Sequence, residues 1–314
     1  MPVKEILILR HGHRLAWTFN PQTQTYTSTH PFPTGIPADP PLASHGVRQS
    51  HETAAHLSKL LLPQVKEDRL VIYCSLFYRC PETLRPSVEA FQELGWKGKV
   101  RGERGMGEWF GTAPFEQPVP GDSGFLRDRF FPWLEGRESR VLPNSHGEMI
   151  DELHDRVARA FEVIVREVDR EYEEKGSAGE DVTVLICGHA APIIASGRVL
   201  TGRMPKDSSE EDFKCFTCGL SRFVRRGKAI AELSDAEAAQ EATEWRTNGG
   251  VAGGWDCTMN SSCEHLSQGE ERGWHFVGEE SFDSYGPPRT FSGDKSDCKK
   301  VEDTNENRND SAKL

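Results

Sequence analysis

Long apolar runs are missing from this chain of 314 residues. No stretch approaches the roughly 20 apolar residues that a membrane-spanning helix requires. The N-terminus has the pattern of a strand and not that of a signal peptide. We therefore expect no membrane association. Internal repeats are missing too, which argues against solenoid and propeller folds.

Basic residues are fewer than acidic ones. The 38 Lys and Arg are outnumbered by 49 Asp and Glu, which gives a formal net charge of −11. Direct binding of nucleic acid requires a basic face, so this balance argues against it. A local basic pocket inside an acidic protein remains compatible with these numbers.

Cysteines are scattered and show no paired pattern. The chain has 8 of them, and Cys215-x-x-Cys218 has no second such pair nearby to complete a zinc site. We interpret the cysteines as free thiols in a reduced compartment, nuclear or cytoplasmic. The predicted strand ends carry cations, and only the loop from Glu103 to Glu108 offers carboxylates there. Because that loop is a poor divalent site, we expect no metal and no other cofactor.

The strongest positive signal lies at the N-terminus. Residues 6–9 are all apolar and predict a buried strand. Polar residues follow without a spacer: Arg10, His11, Gly12, His13 and Arg14. Open α/β sheets bind ligands at the carboxyl ends of their strands. Guanidiniums that converge with an imidazole at such an end suit a phosphate group.

The same order of strand, polar residue and helix recurs twice. Residues 70–74 predict a buried strand that leads to Arg79, and residues 182–187 predict another that leads to His189. Helices are expected over residues 46–62, 80–94 and 192–200, and a long one is expected after Asn144 or Ser145. This alternation predicts a parallel sheet with one crevice, which would receive Arg10, His11, Arg79 and His189.

These residues supply the parts that phosphoryl transfer requires. His11 is the candidate nucleophile, which would form a phospho-enzyme. His189 would donate to the developing charge, and either Glu103 or Glu108 would protonate the leaving oxygen. Fixed guanidiniums would hold the other phosphate oxygens without a metal, namely those of Arg10, Arg14 and Arg79.

Four segments together resemble the histidine phosphatase superfamily, also called the phosphoglycerate-mutase-like family. They are Arg10-His11-Gly12, residues 42–49 with Ala43 in place of the usual Thr, residues 74–80 with Leu76 in place of the usual Pro, and Gly188-His189-Ala190. The resemblance covers residues 5 to about 233. It implies a three-layer α/β/α sandwich with a mostly parallel sheet. It also implies a metal-independent phosphomonoester phosphatase that acts through a phospho-histidine. The phosphorylated substrate stays open between protein, tyrosine and small-metabolite phosphates.

The family places its acid at two alternative positions. Mutase-like and small-molecule phosphatase members have it at the start of the Gly-rich loop, which corresponds to Glu103. The branch that carries ubiquitin-associated and SH3 domains has it before the Trp, which corresponds to Glu108. Because Arg14 matches an extra Arg of that branch, we favour Glu108 and retain both as catalytic candidates.

A narrower resemblance points to fungal TFIIIC subunits that carry a histidine-phosphatase domain, and to their cytosolic paralogues. The segments that carry it are residues 10–17, 33–46, 103–109, 255–260 and 267–276. It implies an alternative function, an assembly subunit of this RNA polymerase III transcription factor with a retained or idle pocket. The partners would be TFIIIC subunits bound through the C-terminal segment, and those partners would contact DNA.

The composition predicts a modular C-terminal part after residue 233. We expect a phosphatase domain over residues 1–233, a linker over 234–254, a TFIIIC-subunit-like tail segment over 255–292 and a disordered tail over 293–314. The tail contains aromatic residues that either anchor a partner or fold back onto the domain, namely Trp255, Trp274, Phe276, Phe282 and Tyr285. The sequence leaves these two alternatives open.

Overall fold

The computed structural model describes residues 2–177, 179–226 and 244–277. Its strands are β1 (Val3–Arg10), β2 (Thr18–Asn20), β3 (Thr25–Thr27), β4 (Leu70–Cys74), β5 (Val100–Gly102), β6 (Val182–Gly188), β7 (Leu220–Arg225) and β8 (Trp255–Ser262). Its helices are α1 (Ser44–Leu60), α2 (Leu62–Lys66), α3 (Arg79–Glu93), α4 (Ser123–Arg129), α5 (Ile150–Glu174) and α6 (Ala190–Thr201).

Six of these strands form one sheet in the order β5-β4-β6-β1-β7-β8. The strands β5, β4, β6 and β1 run parallel, whereas β7 is antiparallel to β1 and β8 is antiparallel to β7. The mostly parallel sheet predicted from the strand–helix alternation is confirmed. Because parallel strands share one carboxyl edge, the ends of β1, β4, β5 and β6 meet there.

Helices cover both faces of the sheet, and β1 shows why. From Ile6 to Leu9 its residues are fully buried and face the two sides of the sheet in alternation. Ile6 and Ile8 belong to the core that contains α5 and α6, and Leu7 and Leu9 belong to the core that contains α1 and α3. A strand buried on both faces reads as a continuous apolar run, which is the pattern of a parallel sheet between two helical layers. The fold is therefore the three-layer α/β/α sandwich expected from the sequence.

The long helix α5 starts later than the sequence predicts. Asn144 accepts a hydrogen bond from the His146 amide at 3.0 Å and so closes a tight turn instead of capping the helix. Gly147 then takes a positive φ of 84°, and the helix begins at Ile150. One face of α5 is apolar and the other is charged. No helix in the described part of the chain is long and apolar enough to cross a membrane.

A hairpin and a loop form a small aromatic cluster beside the sheet edge. The strands β2 and β3 pair antiparallel, and Trp17 and Phe19 pack there with Phe77 and Phe110. This hairpin lies within the long segment 17–41 between β1 and α1, and segments of this length often form a lid or border of a site.

The C-terminal segment belongs to the same folded unit as the phosphatase motifs. The edge strand β8 pairs with β7, and Trp245 and Trp255 are fully buried in the core that also contains α5. Phe276 is 1% exposed in that core. Trp255, Trp274 and Phe276 therefore fold back onto the domain, which is one of the two alternatives that the sequence left open. The composition predicts a separate segment over residues 255–292. It does not show this packing, because long-range contacts decide whether these rings are buried.

Several predicted features lie outside the described residues. They include a strand-like run over residues 228–233, residues 234–243 of the linker, Phe282 and Tyr285, and the tail over 293–314.

Candidate active site

Four turns at the carboxyl edge of the sheet bring the candidate residues together. His11 follows β1, His189 follows β6 and caps α6, and Arg79 opens α3 after β4. Glu108 follows the 3₁₀ turn after β5. One nitrogen or oxygen from each of His11, Glu108 and His189 lies within 4.8 Å of the others.

The geometry of His11 fixes its tautomer and its charge. Nδ1 lies 2.8 Å from the carbonyl oxygen of Gly12. A carbonyl only accepts, so Nδ1 carries the proton and Nε2 keeps its lone pair. Burial, together with the charges of Arg79, His189 and Arg10, holds the pKa of His11 well below its ordinary value. His11 is therefore a neutral imidazole with a nucleophilic Nε2.

The carboxylate of Glu108 contacts two of the cationic groups. Oε2 lies 3.1 Å from Nη2 of Arg79 and 3.3 Å from Nδ1 of His189. Burial would raise the pKa of Glu108, but the charges of His189, Arg79 and His11 outweigh burial and hold it well below its ordinary value. The side chain is 18% exposed, so Glu108 is the carboxylate that faces the pocket opening.

Glu103, the other candidate acid, lies in a different environment. Oε1 accepts the amides of Gly105 at 2.8 Å and Val141 at 3.1 Å, and Oε2 accepts the amide of Arg140 at 2.9 Å. The residue is 1% exposed. Burial raises its pKa, and the three backbone hydrogen bonds oppose that shift. Glu103 thus holds the loop that carries Glu108, and its two oxygens are occupied by that task.

His189 is completely buried between polar and aromatic groups. Nε2 lies 2.7 Å from the hydroxyl of Ser75 and 3.5 Å from the sulfur of Cys80. Its ring meets that of His11 edge to face at a centroid distance of 5.2 Å. Burial lowers the pKa of His189, but Cys80 and Glu108 outweigh burial and raise it above its ordinary value. His189 is therefore suited to carry a proton beside an anion.

Asp39 is a site residue that the sequence did not predict. It is fully buried, and Oδ1 accepts the amide of Tyr78 at 2.7 Å and faces Nη1 of Arg79 at 3.5 Å. Burial raises the pKa of Asp39 to about 6 against the opposing charge of Arg79. It fixes the start of α3 and the direction of the Arg79 guanidinium. The motif Asp39-Pro40-Pro41 ends the long loop before α1, and nothing in its spacing indicates a contact with Arg79.

The two buried arginines have donors left over for an anion. Nε of Arg10 and Nε of Arg79 are buried and make no hydrogen bond within the described residues. Such orphaned guanidinium donors beside a neutral imidazole fit the oxygens of a phosphate. Arg14, the third predicted arginine, donates to the carbonyl of Leu15 at 2.9 Å and lies over the ring of Trp17 at 5.4 Å.

The turn that carries His11 is fixed by neighbours that the sequence did not assign to the site. The amide of Gly12 donates to the hydroxyl of Thr83 at 3.0 Å, and the amide of His13 donates to Oε1 of Gln49 at 3.0 Å. A Cβ at Gly12 would lie 2.8 Å from the carbonyl oxygen of Gly46, so only glycine allows α1 to pack this closely.

Two histidines and a carboxylate within 4.8 Å also have the makeup of a metal site. The surrounding charge opposes a cation here, because Arg79 contacts Glu108 directly and both Arg79 and Arg10 act on His11. The electrostatics therefore suit an anion better than a divalent metal.

Most of the sequence matches a known family. The family model described as Histidine phosphatase superfamily (branch 1) matches residues 6–234. The chain belongs to the histidine phosphatase superfamily. This match confirms the resemblance inferred from the four segments, and it includes every histidine, arginine and glutamate of the candidate site.

Two curated proteins are similar in sequence to this histidine phosphatase. The transcription factor tau 55 kDa subunit of Saccharomyces cerevisiae is 32% identical over 285 residues, which cover 88% of this chain and 59% of the yeast protein. The ecdysteroid-phosphate phosphatase of Drosophila melanogaster is 26% identical over 230 residues, covering 66% of this chain and 28% of the fly protein. The chain thus spans less than two thirds of the length of either relative.

A solved structure is similar as well. It is the ecdysone phosphate phosphatase from Bombix mori in complex with tungstate, which is 18% identical with a TM-score of 0.47 and covers 74% of this chain and 96% of that one.

Proposed function

We propose that this histidine phosphatase is a phosphomonoesterase that acts through a phosphorylated His11. The observation that carries the proposal is the 2.8 Å contact between Nδ1 of His11 and the Gly12 carbonyl. That contact leaves Nε2 neutral and unprotonated, and the neighbouring guanidiniums of Arg10 and Arg79 have unused donors. Transfer of a phosphoryl group requires a nucleophile and a set of anion-binding donors at the same place.

The reaction would proceed in two displacements. Nε2 of His11 attacks phosphorus, the bond from phosphorus to the ester oxygen breaks, and Glu108 gives that oxygen its proton. Glu108 then takes a proton from water as the water oxygen attacks the phosphorus of phospho-His11. Inorganic phosphate leaves, and His11 is neutral again. Arg10, Arg14, Arg79 and His189 would stabilise the charge on the non-bridging oxygens in both steps.

Substrate binding lets Glu108 take up from solvent the proton that it later donates. In the free protein Glu108 is ionised, because His189, Arg79 and His11 hold its pKa low. A phosphate dianion would compete for those same cations and add negative charge nearby. Both effects raise the pKa of Glu108, so it would be protonated only when a substrate is bound.

The proposed reaction is independent of metal. Arg10 and Arg79 supply the positive charge that a divalent ion supplies elsewhere. We expect hydrolysis of an aryl phosphate to be unchanged by a chelator. Activity that is lost with the chelator and restored by magnesium would contradict this part of the proposal.

The decisive experiment compares His11→Ala with His13→Ala. The His11 variant should lose at least about 10³-fold in hydrolysis of an aryl phosphate, whereas the neighbouring His13 variant should keep most of it. Rapid quench with labelled substrate should leave an acid-labile, alkali-stable label on the unmodified protein and none on the His11 variant. Wild-type turnover in the His11 variant would refute the proposal.

Assembly into TFIIIC is the second candidate function. The similarity to the yeast tau 55 kDa subunit supports it, since the alignment covers 88% of this chain and therefore extends past the family model at residues 6–234. The partners would be other TFIIIC subunits, and the protein would then be nuclear. The two functions are compatible, because one needs the crevice and the other needs an outer surface.

Affinity purification of the full chain tests the assembly function. We expect TFIIIC subunits to copurify with the unmodified protein and equally with His11→Ala, because assembly does not require the nucleophile. If neither form captures TFIIIC subunits from a nuclear extract, the assembly function is wrong and the phosphatase function stands alone.

A further inference from the structure

We propose that residues 271–276, which we call the C-terminal strap, position the phosphate-binding groups and are therefore part of the catalytic unit. This inference rests on the proposed phosphatase function. The strap follows β8 and crosses the carboxyl edge of the sheet. It would act on Arg10, on the turn that carries His11 and on the loop that carries Glu108.

The strap holds the guanidinium of Arg10 through a backbone carbonyl. Nη1 of Arg10 donates to the carbonyl of Arg272 at 2.6 Å and to that of Cys215 at 2.9 Å. Arg10 and Arg272 are 262 positions apart along the chain. Two carbonyls on one nitrogen fix the plane of the guanidinium, so its remaining donors point in a set direction. Nε of Arg10, which is buried without a partner in the described residues, is one of those donors.

The strap itself is held in place by backbone hydrogen bonds. The amide of Thr217 donates to the carbonyl of Glu271 at 3.2 Å, and the amide of Trp274 donates to the carbonyl of Cys215 at 3.3 Å. Between these two bonds Arg272 takes a positive φ of 55°. That conformation directs its carbonyl toward Arg10, and it is uncommon for any residue except glycine.

The side chain of Glu271 supports the turn that carries His11. Its Oε2 accepts Nε2 of Gln49 at 3.0 Å and lies 2.6 Å from Nε2 of His45. Gln49 in turn accepts the amide of His13 through Oε1 at 3.0 Å. Glu271 thus orients the amide of Gln49, and Gln49 holds the backbone two residues after His11.

The other end of the strap reaches the loop of the proposed acid. Phe276 is 1% exposed and meets the ring of Trp109 edge to face at a centroid distance of 5.5 Å. Trp109 directly follows Glu108 and donates from its indole to the carbonyl of Glu148 at 2.7 Å. One short segment therefore contacts both the anion-binding side and the acid side of the crevice.

Backbone variants at position 272 separate positioning from general stability. Arg272→Pro forces φ to about −65° and turns the carbonyl away from Arg10, whereas Arg272→Gly keeps the positive φ. We expect the Pro variant to bind inorganic phosphate at least about tenfold more weakly than the Gly variant, measured by calorimetry on the full chain. Asp68→Pro, at another positive φ of 54° far from the strap, controls for the strain of proline itself.

A second pair of variants, which change a side chain and not the backbone, tests the inference if Arg272→Pro does not fold. Glu271→Gln retains an oxygen for Gln49, and Glu271→Ala removes it. We expect Glu271→Ala to weaken phosphate binding and raise the KM for an aryl phosphate more than its kcat falls, and we expect Glu271→Gln to recover most of that loss. If the strap had only a structural role, Arg272→Pro and Glu271→Ala would lower the thermal midpoint and leave the affinity for phosphate unchanged.

The outcomes distinguish this inference from the phosphatase proposal. If the unmodified protein binds phosphate and the strap variants bind it equally well, the inference is wrong while the proposed function is untouched. If phosphate binding depends on the strap but no phospho-His11 ever forms, the proposed function fails and the strap still positions an anion site. A wild-type chain that binds no phosphate overturns the inference, because there would be no site to position.

Discussion

Nδ1 of His189 and Oε2 of Glu108 lie 3.3 Å apart at the carboxyl edge of the sheet. Nδ1 has no hydrogen bond of good alignment within the described residues, so the contact is an electrostatic one. Each group shifts the other toward its charged form: the pKa of Glu108 is lowered and that of His189 is raised. The opposite shifts beside a neutral His11 suit the two groups to different roles. Glu108 is the proposed acid, and His189 is proposed to hold the anion.

The two candidate acids are distinguished by paired substitutions. Glu108→Gln should lower kcat by about 10²- to 10⁴-fold for phenyl phosphate, because a poor leaving group needs the proton. The loss should be smaller for p-nitrophenyl phosphate, whose leaving group departs without one. Glu103→Gln should instead destabilise the fold by about 1–3 kcal/mol, since three buried amides lose a charged acceptor. Equal leaving-group dependence in both variants would contradict the assignment of Glu108.

The pH profile of kcat/KM should report His189. Because the pKa of His189 is raised above its ordinary value, the profile should fall on the alkaline side at a pH above about 6.5. Cys80→Ala removes a group that raises this pKa, so the alkaline limb should move to lower pH. Cys74→Ala removes another buried thiol, one that is not among the main groups that shift the pKa of His189, and should leave the limb in place. An unmoved limb in the Cys80 variant would rule out His189 as its origin.

His154 should make the fold sensitive to acid. It is fully buried and stacks on Trp245 at a centroid distance of 6.0 Å. Burial, with Arg198 and Arg246 adding to it, lowers its pKa to about 4. Because the unfolded chain takes up this proton near pH 6.5, the stabilisation is complete above that pH and is lost as pH falls toward 4. The full effect is about 3 kcal/mol, and about 2 kcal/mol is lost by pH 5.

Denaturant unfolding at pH 7.5 and pH 5.0 measures this effect. The difference in unfolding free energy between the two pH values should shrink in His154→Phe, which keeps an aromatic ring against Trp245 but cannot take up a proton. The exposed His30 provides the control, because His30→Gln should leave the difference as it is. If His154→Phe has the same difference as the unmodified protein, another group causes the acid sensitivity.

Truncation after Ser234 should prevent folding. It removes β8 together with the fully buried Trp245 and Trp255 and the almost fully buried Phe276. Loss of a buried Trp or Phe costs about 3–5 kcal/mol each, which together exceeds the total stability of about 5–15 kcal/mol at its lower end. We expect an aggregating or unfolded product by circular dichroism and size-exclusion chromatography.

A chain that ends at Val277 is the matched control for that truncation. It keeps every contact described above, so its thermal midpoint and its hydrolysis of an aryl phosphate should equal those of the full chain. The same chain locates any TFIIIC contact: association that is lost here would place the partner site within residues 278–314. A soluble, active product from the truncation after Ser234 would instead support a separable tail.

Much of the candidate site could be predicted because parallel strands share a carboxyl edge. The residues after β1, β4 and β6 are adjacent in space whatever their separation in sequence, so Arg10, Arg79 and His189 could be assigned to one crevice. The same apolar runs determined the sheet and the two helical layers, because burial on both faces leaves no other pattern.

The choice between Glu103 and Glu108 depended on the tertiary structure. Both lie in one irregular, Gly-rich loop, where no period tells which side chain faces the pocket. The amides of Arg140 and Val141, from a distant loop, hold the first carboxylate, and His189 and Arg79 meet the second. Asp39 was missed for the same reason, since its contact with Arg79 is a long-range one.

The sequence by itself determined the three strands that end in candidate site residues (β1, β4 and β6) and the family, because local patterning and short motifs encode them. Only the tertiary structure decided the place of the C-terminal segment. Its aromatic residues are too few to give a period, and their burial depends on long-range contacts with the core that contains α5. The bond from Arg10 to the carbonyl of Arg272 is a backbone contact that no side-chain pattern records. Such contacts form only when the chain has folded and segments far apart in sequence meet.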